Sequence, residues 1–315
     1  MTENNSPNAR PTDDELARSF AFEALREQRR TRRWGNFFKC LFVLYLFALL
    51  AISWPSVSKN LFFNAEKITA LVEVNGIIAP DSDAGADFVV TGLRNAFEDK
   101  KTAGVILRVN SPGGSPVQSG YINDEIRRLK EKHPDIPVYA VIQDICASGG
   151  YYVAVAADEI YANKASIVGS IGVRMDGFGF VEAMEKMGVE RRLLTAGESK
   201  GALDPFSPVS QTDVAHVKSL LREIHEQFIS TVKDGRGTRL STTTDLFSGL
   251  FWTGEKSLEL GLIDGFGSAS FVAREIIKAK EIVNFTPQHN LADRFAKRFG
   301  AEIVARLGGL VPNIR

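Results

Sequence analysis

The chain has 315 residues, 44% of them hydrophobic and 24% charged, enough for one large core with extensions. Lysine plus arginine balance aspartate plus glutamate at 38 each, so no global field favours nucleic acid or an acidic partner. Two cysteines cannot build a disulfide framework, and the four histidines, at 133, 216, 225 and 289, lack metal-ligand spacing; no metal or cofactor is expected.

Residues 1–20 are polar, with Pro7 and Pro11, and read as a disordered tail. Next comes a basic cluster made of Arg26, Arg29, Arg30, Arg32, Arg33 and Lys39. It flanks an apolar run from Phe37 to Trp54 interrupted only by Lys39, whose long side chain reaches the headgroups. A membrane-crossing helix needs about twenty apolar residues, and Trp34 and Trp54 bracket this run as interfacial aromatics do. The reading is a cytoplasmic basic tail over 1–36 and a transmembrane anchor in a lipid bilayer over 37–56. By the positive-inside rule, everything beyond lies outside the cytoplasm. A buried core helix leaves the basic flank and the tryptophans unexplained. A cleaved signal peptide is the other reading; it needs an unusually long charged region and has only Ser56 and Ser58 as small residues near its exit.

From Lys67 the texture is α/β, and a domain over 57–285 is expected. ITALVEV (68–74) reads as a strand and ADFVVTGLRNAFEDK (86–100) as a helix. AGVILRVN (103–110) is a continuous apolar strand of the kind buried on both faces. A helix over 116–132 opens at Pro116 and ends before His133-Pro134. PVYAVIQDI (137–145) is a strand, and GYYVAVAA (150–157) a short apolar helix. Beyond them lie strands at EIYAN and GSIGV, a helix near 180–187, a strand at VERRLLT (189–195) and a long helix over 212–234. Such alternation implies a mostly parallel sheet. The segment 286–315 repeats Leu291, Phe295 and Phe299 among Arg294, Lys297 and Arg298, an amphipathic basic helix with a narrow apolar stripe. It packs on protein or lies on a membrane surface.

Chemistry concentrates in glycine-rich turns after strands. Asn110-Ser111-Pro112-Gly113-Gly114-Ser115 exposes backbone N–H groups at a helix start, the way an oxyanion hole is built, or is a plain strand-to-helix turn. It lacks the Lys-Ser/Thr ending of a phosphate loop. Cys146-Ala147-Ser148-Gly149-Gly150 puts a serine at a sharp turn with a helix behind it. Ser148 is there a nucleophile or merely an N-cap. Cys146 reads as a small buried residue still within the strand.

No histidine lies between Ser148 and His216 to serve as a base. Lys200 sits instead in a small-residue loop, Thr195 to Ala202. A solvated lysine titrates near 10.4 and is no base at neutral pH; burial without a counter-ion lowers such an amine by about three units. The bland alternative pairs Lys200 with Glu198. Ser170, in Val168-Gly169-Ser170-Ile171-Gly172, is a further hydroxyl that orients the lysine amine or caps a strand.

Taken in order, NSPGG, CASGGYYVA, GSIGV and ESKGALDPFSP resemble the signal peptide peptidase A family, and FSGLFWTGEKSLELGLIDGFG (247–267) resembles its closing segment. The usual pattern has a basic residue near Leu250, which this chain lacks. The resemblance covers about residues 67–270 and implies a ClpP/crotonase-like fold of repeated β-β-α units, behind the one N-terminal transmembrane helix. It implies a serine endopeptidase with a Ser/Lys dyad: Ser148 as nucleophile, Lys200 as general base, Gly114 and Gly149 at the oxyanion hole, and Ser170 orienting the lysine. The short length matches the single-repeat form, which assembles into a ring, as an octamer in one reading, with serine and lysine drawn from neighbouring protomers. The implied substrates are hydrophobic peptides such as signal-peptide remnants. Crotonase-like acyl-transfer enzymes and a non-catalytic membrane scaffold are the rival classes.

Overall fold

The structure is a computed structural model that describes residues 36–48, 67–242 and 244–287. Residues 36–48 form a helix, α1, with every side chain exposed. The rest of the expected 37–56 span lies outside the described residues, and no helix among those described is long and apolar enough to cross a membrane. The expected C-terminal amphipathic helix also lies outside them. The remaining residues belong to a unit separate from the one that holds α1.

That unit is built on β1 (Ile68–Asn75), β2 (Thr102–Ser111) and β3 (Val138–Ala147), joined through α2 (Ala86–Glu98) and α3 (Pro116–Lys132). β1, β2 and β3 pair in parallel. Their side chains alternate between two apolar layers, as the pleat requires. Ala70, Val72, Val74, Val105, Leu107 and Val109 face a core shared with α2, α3 and α4 (Gly149–Ala154). Leu71, Ile106 and Val141 face a smaller core closed by Val272 and Ala273. Burial on both faces is why these strands read as unbroken apolar runs.

β3 forks. Its first half, Tyr139–Val141, pairs with β4 (Glu159–Ala162), and its last three residues, Ile145–Ala147, pair with β5 (Ile167–Gly169). The fork coincides with a bulge: from the pair Val109/Ile142 to the pair Ser111/Cys146, β2 advances two residues and β3 four. A bulge re-aims the chain beyond it, and the first residue past the end of β3 is Ser148. β5 continues antiparallel to β6 (Phe251–Thr253), β4 pairs with β7 (Gly265–Phe266), and β8 (Ile282–Asn284) extends the far edge beside β1. Only the β5–β6 pairing is antiparallel among the described strands, so the expected mostly parallel α/β sheet is present.

Two expectations are corrected. Residues 189–195 form no strand; they are exposed and pair with nothing that would satisfy a strand's backbone. The strand expected at 169–173 is β5, which ends at Gly169, because positive φ at Gly169 and Ser170 turns the chain out of the sheet. The helices α5 (Val181–Lys186) and α6 (Gln211–Arg236) stand where the pattern placed them. α6 is pinned at its end by Arg236, 1% exposed, whose guanidinium grips both oxygens of Asp264 at 2.7 and 3.0 Å. Burial alone pushes the Asp264 carboxyl up, but the hydrogen bond and charge of Arg236 outweigh it and hold the group below the usual carboxylate range.

Candidate active site

The two glycine-rich turns at the ends of β2 and β3 meet. After β2, Ile78 bridges the turn: its N–H donates to the Gly113 carbonyl at 2.9 Å, and its carbonyl accepts from Ser115 N–H at 2.8 Å. Ser115 Oγ then caps α3, accepting from Gln118 N–H, with Pro116 in the first turn where a missing N–H costs nothing. Gly113, at φ 100°, lies against the other turn. A Cβ there would fall 2.6 Å from Gly149 N and 2.8 Å from Ser148 Cβ, so only glycine permits this approach. A Cβ on Gly149 would lie 3.2 Å from Gly114 N. The N–H groups of Gly114 and Gly149 are thus neighbours, and neither donates a hydrogen bond among the described residues.

Ser148 sits at φ 51°, a region costly for a residue with a side chain, at the junction of β3 and α4. Its N–H donates to the Gly169 carbonyl at 2.8 Å, and its carbonyl accepts from Tyr152 N–H at 3.0 Å. The side chain makes no capping bond, so the N-cap reading is set aside. Its half-buried hydroxyl is left unengaged beside two unengaged N–H groups at a helix N-terminus. Cys146 is buried in β3, as expected, and burial pushes its thiol up, away from the thiolate a competing nucleophile needs.

Ser170, half-buried at φ 53°, comes directly after the Gly169 carbonyl that holds Ser148, and its own N–H donates to the Leu250 carbonyl at 2.7 Å. Lys200 lies at the surface of the unit. It is exposed in a turn, its N–H donating to the Gly197 carbonyl at 3.2 Å. Among the described residues its amine forms no ion pair with Glu198 and no hydrogen bond with Ser148 or Ser170. The structure therefore brings together Gly114, Gly149, Ser148 and the Gly169-Ser170 backbone, and joins Lys200 to none of them by a hydrogen bond among the described residues. Ile78, Ser119 and His225 were not legible as parts of this arrangement. Ile78 reaches it through backbone alone, and Ser119 Oγ lies where a Gly149 Cβ would go. His225 Nε2 lies 3.2 Å from the Ile171 carbonyl. No metal-binding group of His, Cys, Asp or Glu occurs among the described residues.

A free hydroxyl at a strained strand-to-helix turn, next to paired backbone donors, is the arrangement of serine hydrolases that work by acyl transfer. The model of peptidase family S49 matches residues 130–283, which include Ser148, Ser170 and Lys200. A protein of Synechocystis sp. named as a protease is 33% identical over 215 residues, 68% of this chain and 73% of that one. A protein of Enterococcus faecium named as a signal peptide peptidase SppA is 30% identical over 70% of this chain and 66% of its own length. The chain belongs to peptidase family S49. It is also 45% identical over 225 residues to the Na(+)/H(+) antiporter NhaA of Brucella melitensis, and there it spans only 30% of the relative's length. Among solved structures, the 1510-N membrane-bound stomatin-specific protease aligns with 76% of this chain and all of that one at 12% identity and a TM-score of 0.43, too slight a likeness to carry an inference.

Proposed function

We propose that the chain is a membrane-bound serine endopeptidase with a Ser/Lys dyad, acting on hydrophobic peptides such as cleaved signal peptides. One observation carries the reading: the unengaged Ser148 hydroxyl stands at a backbone turn of φ 51° beside the free N–H groups of Gly114 and Gly149. In the mechanism, a neutral Lys200 amine takes the Ser148 proton and Oγ attacks the peptide carbonyl. The two glycine N–H groups receive the charge that develops on the carbonyl oxygen. The protonated lysine gives its proton to the leaving amine, and water releases the acyl group by the reverse route. Ser170 orients the lysine.

Lys200 is supplied by a neighbouring protomer in a ring. Two features support this. Its amine has no partner among the described residues, and the segment that carries it exposes large apolar side chains, including Phe178 at 81%, Met187 at 69% and Leu194 at 96%. Exposed apolar surface on this scale needs a cover, and a second copy of the chain provides one. The fold is of the ClpP/crotonase-like kind, and the apolar run 37–56 anchors the chain in the inner or plasma membrane with its basic tail in the cytoplasm.

The test is hydrolysis of an apolar fluorogenic peptide by the full chain in detergent. Ser148→Ala and Lys200→Ala are each expected to lower kcat by at least about a thousandfold. Hydrolysis undiminished by Ser148→Ala sinks the peptidase; hydrolysis undiminished by Lys200→Ala, with loss on His216 or His225 substitution, moves the base to a histidine.

A further inference from the structure

We propose that His225 is a positioning residue, a clasp that fixes both the strip holding Ser148 and the base of the arm that carries Lys200; its catalytic consequence rests on the peptidase reading above. The strip is Gly169-Ser170-Ile171. Gly169 and Ser170 have φ of 112° and 53°, and the Gly169 carbonyl receives the N–H of Ser148, itself at 51°. Two residues with side chains are thus held in a sparsely populated backbone region within one hydrogen bond of each other. Such conformations are costly and persist only where the surroundings over-determine them.

Besides the pairing of Gly169 with β3 and β6, the strip is held at three places. Ser148 N–H reaches the Gly169 carbonyl, and Ser170 N–H reaches the Leu250 carbonyl on the lead-in to β6. The Ile171 carbonyl accepts from His225 Nε2 at 3.2 Å, the one side-chain hydrogen bond to the strip among the described residues. A carbonyl is only an acceptor, so Nε2 carries the proton.

His225 also lies just ahead of the first buried residue of α6. Phe228, Val232 and Arg236 are the buried residues of α6, and with His225 they fall at intervals of three, four and four, on one helical face. From residue 172 to residue 227 no side chain is buried, whereas Ile171 and Phe228 both are. The chain therefore leaves the core at Ile171 and regains it at Phe228. The His225–Ile171 bond ties the two ends of that excursion, and Lys200 sits within it. One bond thus couples the backbone that shapes the serine turn to the root of the arm that presents the lysine. Loss of the clasp releases the strip toward relaxed φ values and lets the arm pivot, without removing any group that touches substrate.

The test compares the full chain with His225→Ala and His225→Gln, since the glutamine amide nitrogen takes the place of Nε2 as donor. Hydrogen exchange is followed in peptides spanning 145–152 and 168–173, with 228–236 as the internal control for folding, alongside kcat and KM. The expected result is that His225→Ala exchanges at least tenfold faster in the first two peptides and unchanged in the third. It loses at least tenfold in kcat with KM within threefold, and His225→Gln recovers most of both. Exchange unchanged at 145–152 and 168–173 overturns the clasp. Faster exchange with kcat within twofold of the parent overturns its positioning role. Ser148→Ala serves as the separate control: activity surviving that change sinks the peptidase reading, while the exchange data still decide the clasp.

Discussion

At the scale of single residues the site depends on missing atoms as much as on present ones. Gly113 is the case that bears directly on the serine, since a methyl group there meets Gly149 N at 2.6 Å, the Ala147 carbonyl at 2.8 Å and Ser148 Cβ at 2.8 Å, at a φ of 100°. All three neighbours belong to the serine turn, so they cannot yield without moving Ser148 or turning away the Gly149 N–H. On the mechanism proposed above, Gly113→Ala is therefore expected to lower kcat by on the order of 10²- to 10³-fold, the cost of losing one oxyanion donor. KM should change much less, because the lost contact matters most in the transition state. Gly120→Ala is the matched control. It lies on α3 with open space around its Cβ position and should keep full activity. Equal losses in the two variants, by steady-state kinetics, would rule out a steric role for Gly113 in catalysis.

At the scale of elements, charge joins α2 and α3. Glu125 on α3 is nearly buried and receives Arg128 at 2.7 Å from its own helix and Arg94 at 2.7 Å from α2. The Arg128 hydrogen bond holds its carboxyl low; burial works the other way, and the Arg94 bond and charges reinforce Arg128, leaving the group at about 2 against an ordinary 4.5. A carboxyl lowered by folding contributes stability above its unfolded pKa, and that contribution is lost as pH falls through the folded value. Stability should thus decline from about pH 4.5 toward about pH 2, and Glu125→Gln should flatten the decline while lowering stability at neutral pH. Urea midpoints across that range check it; identical slopes for parent and variant would remove Glu125 as a cause.

The elements that sequence exposes and those it hides differ in length and in where their partners lie. β1 and β2 are long enough for an unbroken apolar run to show and α2 and α3 for a helical period, and their apolar faces pack on one another. β6, β7 and β8 have two or three residues each, too few for any period. β8 is fixed by contacts far along the chain: its neighbour Ala279 accepts from the Thr69 hydroxyl at 2.6 Å, and Thr286 accepts from Glu73 N–H at 2.8 Å. Residues 189–195 err the other way, with strand-forming composition but no adjacent edge to pair with. The site was legible to the extent that chemistry sits in local motifs. Ser148, Gly113 and Gly114 announce themselves by glycine beside serine. The Ile78 bridge and the His225 bond carry no local signature, because an isoleucine backbone or a histidine on a helix looks the same whatever it reaches.

At the scale of the whole molecule, catalysis turns on whether one chain suffices. Ser148 lies in the packed core region, and Lys200 lies on an arm in which no residue from 172 to 227 is buried. Within that arm α5, the turn at Gly188 to Arg191, and Phe206 line an open cleft of about 420 Å³. Phe180 stacks on Phe206 at 5.4 Å and Arg191 lies over the Phe206 ring, so the arm holds a shape of its own while its other apolar side chains face outward. An arm that is shaped yet unburied is suited to lie on a second copy. If it delivers Lys200 to a neighbour's Ser148, two inactive variants must complement each other. Ser148→Ala keeps an intact lysine and Lys200→Ala an intact serine. In a closed ring assembled at random from equal amounts, each boundary has the right serine facing the right lysine about a quarter of the time. Co-expression of the two variants should therefore restore about a quarter of the parental peptide hydrolysis, while each alone stays inactive. A mixture as inactive as its parts, in an assembly shown by two different affinity tags to contain both, would place serine and lysine within one chain and require the arm to fold back on its own core.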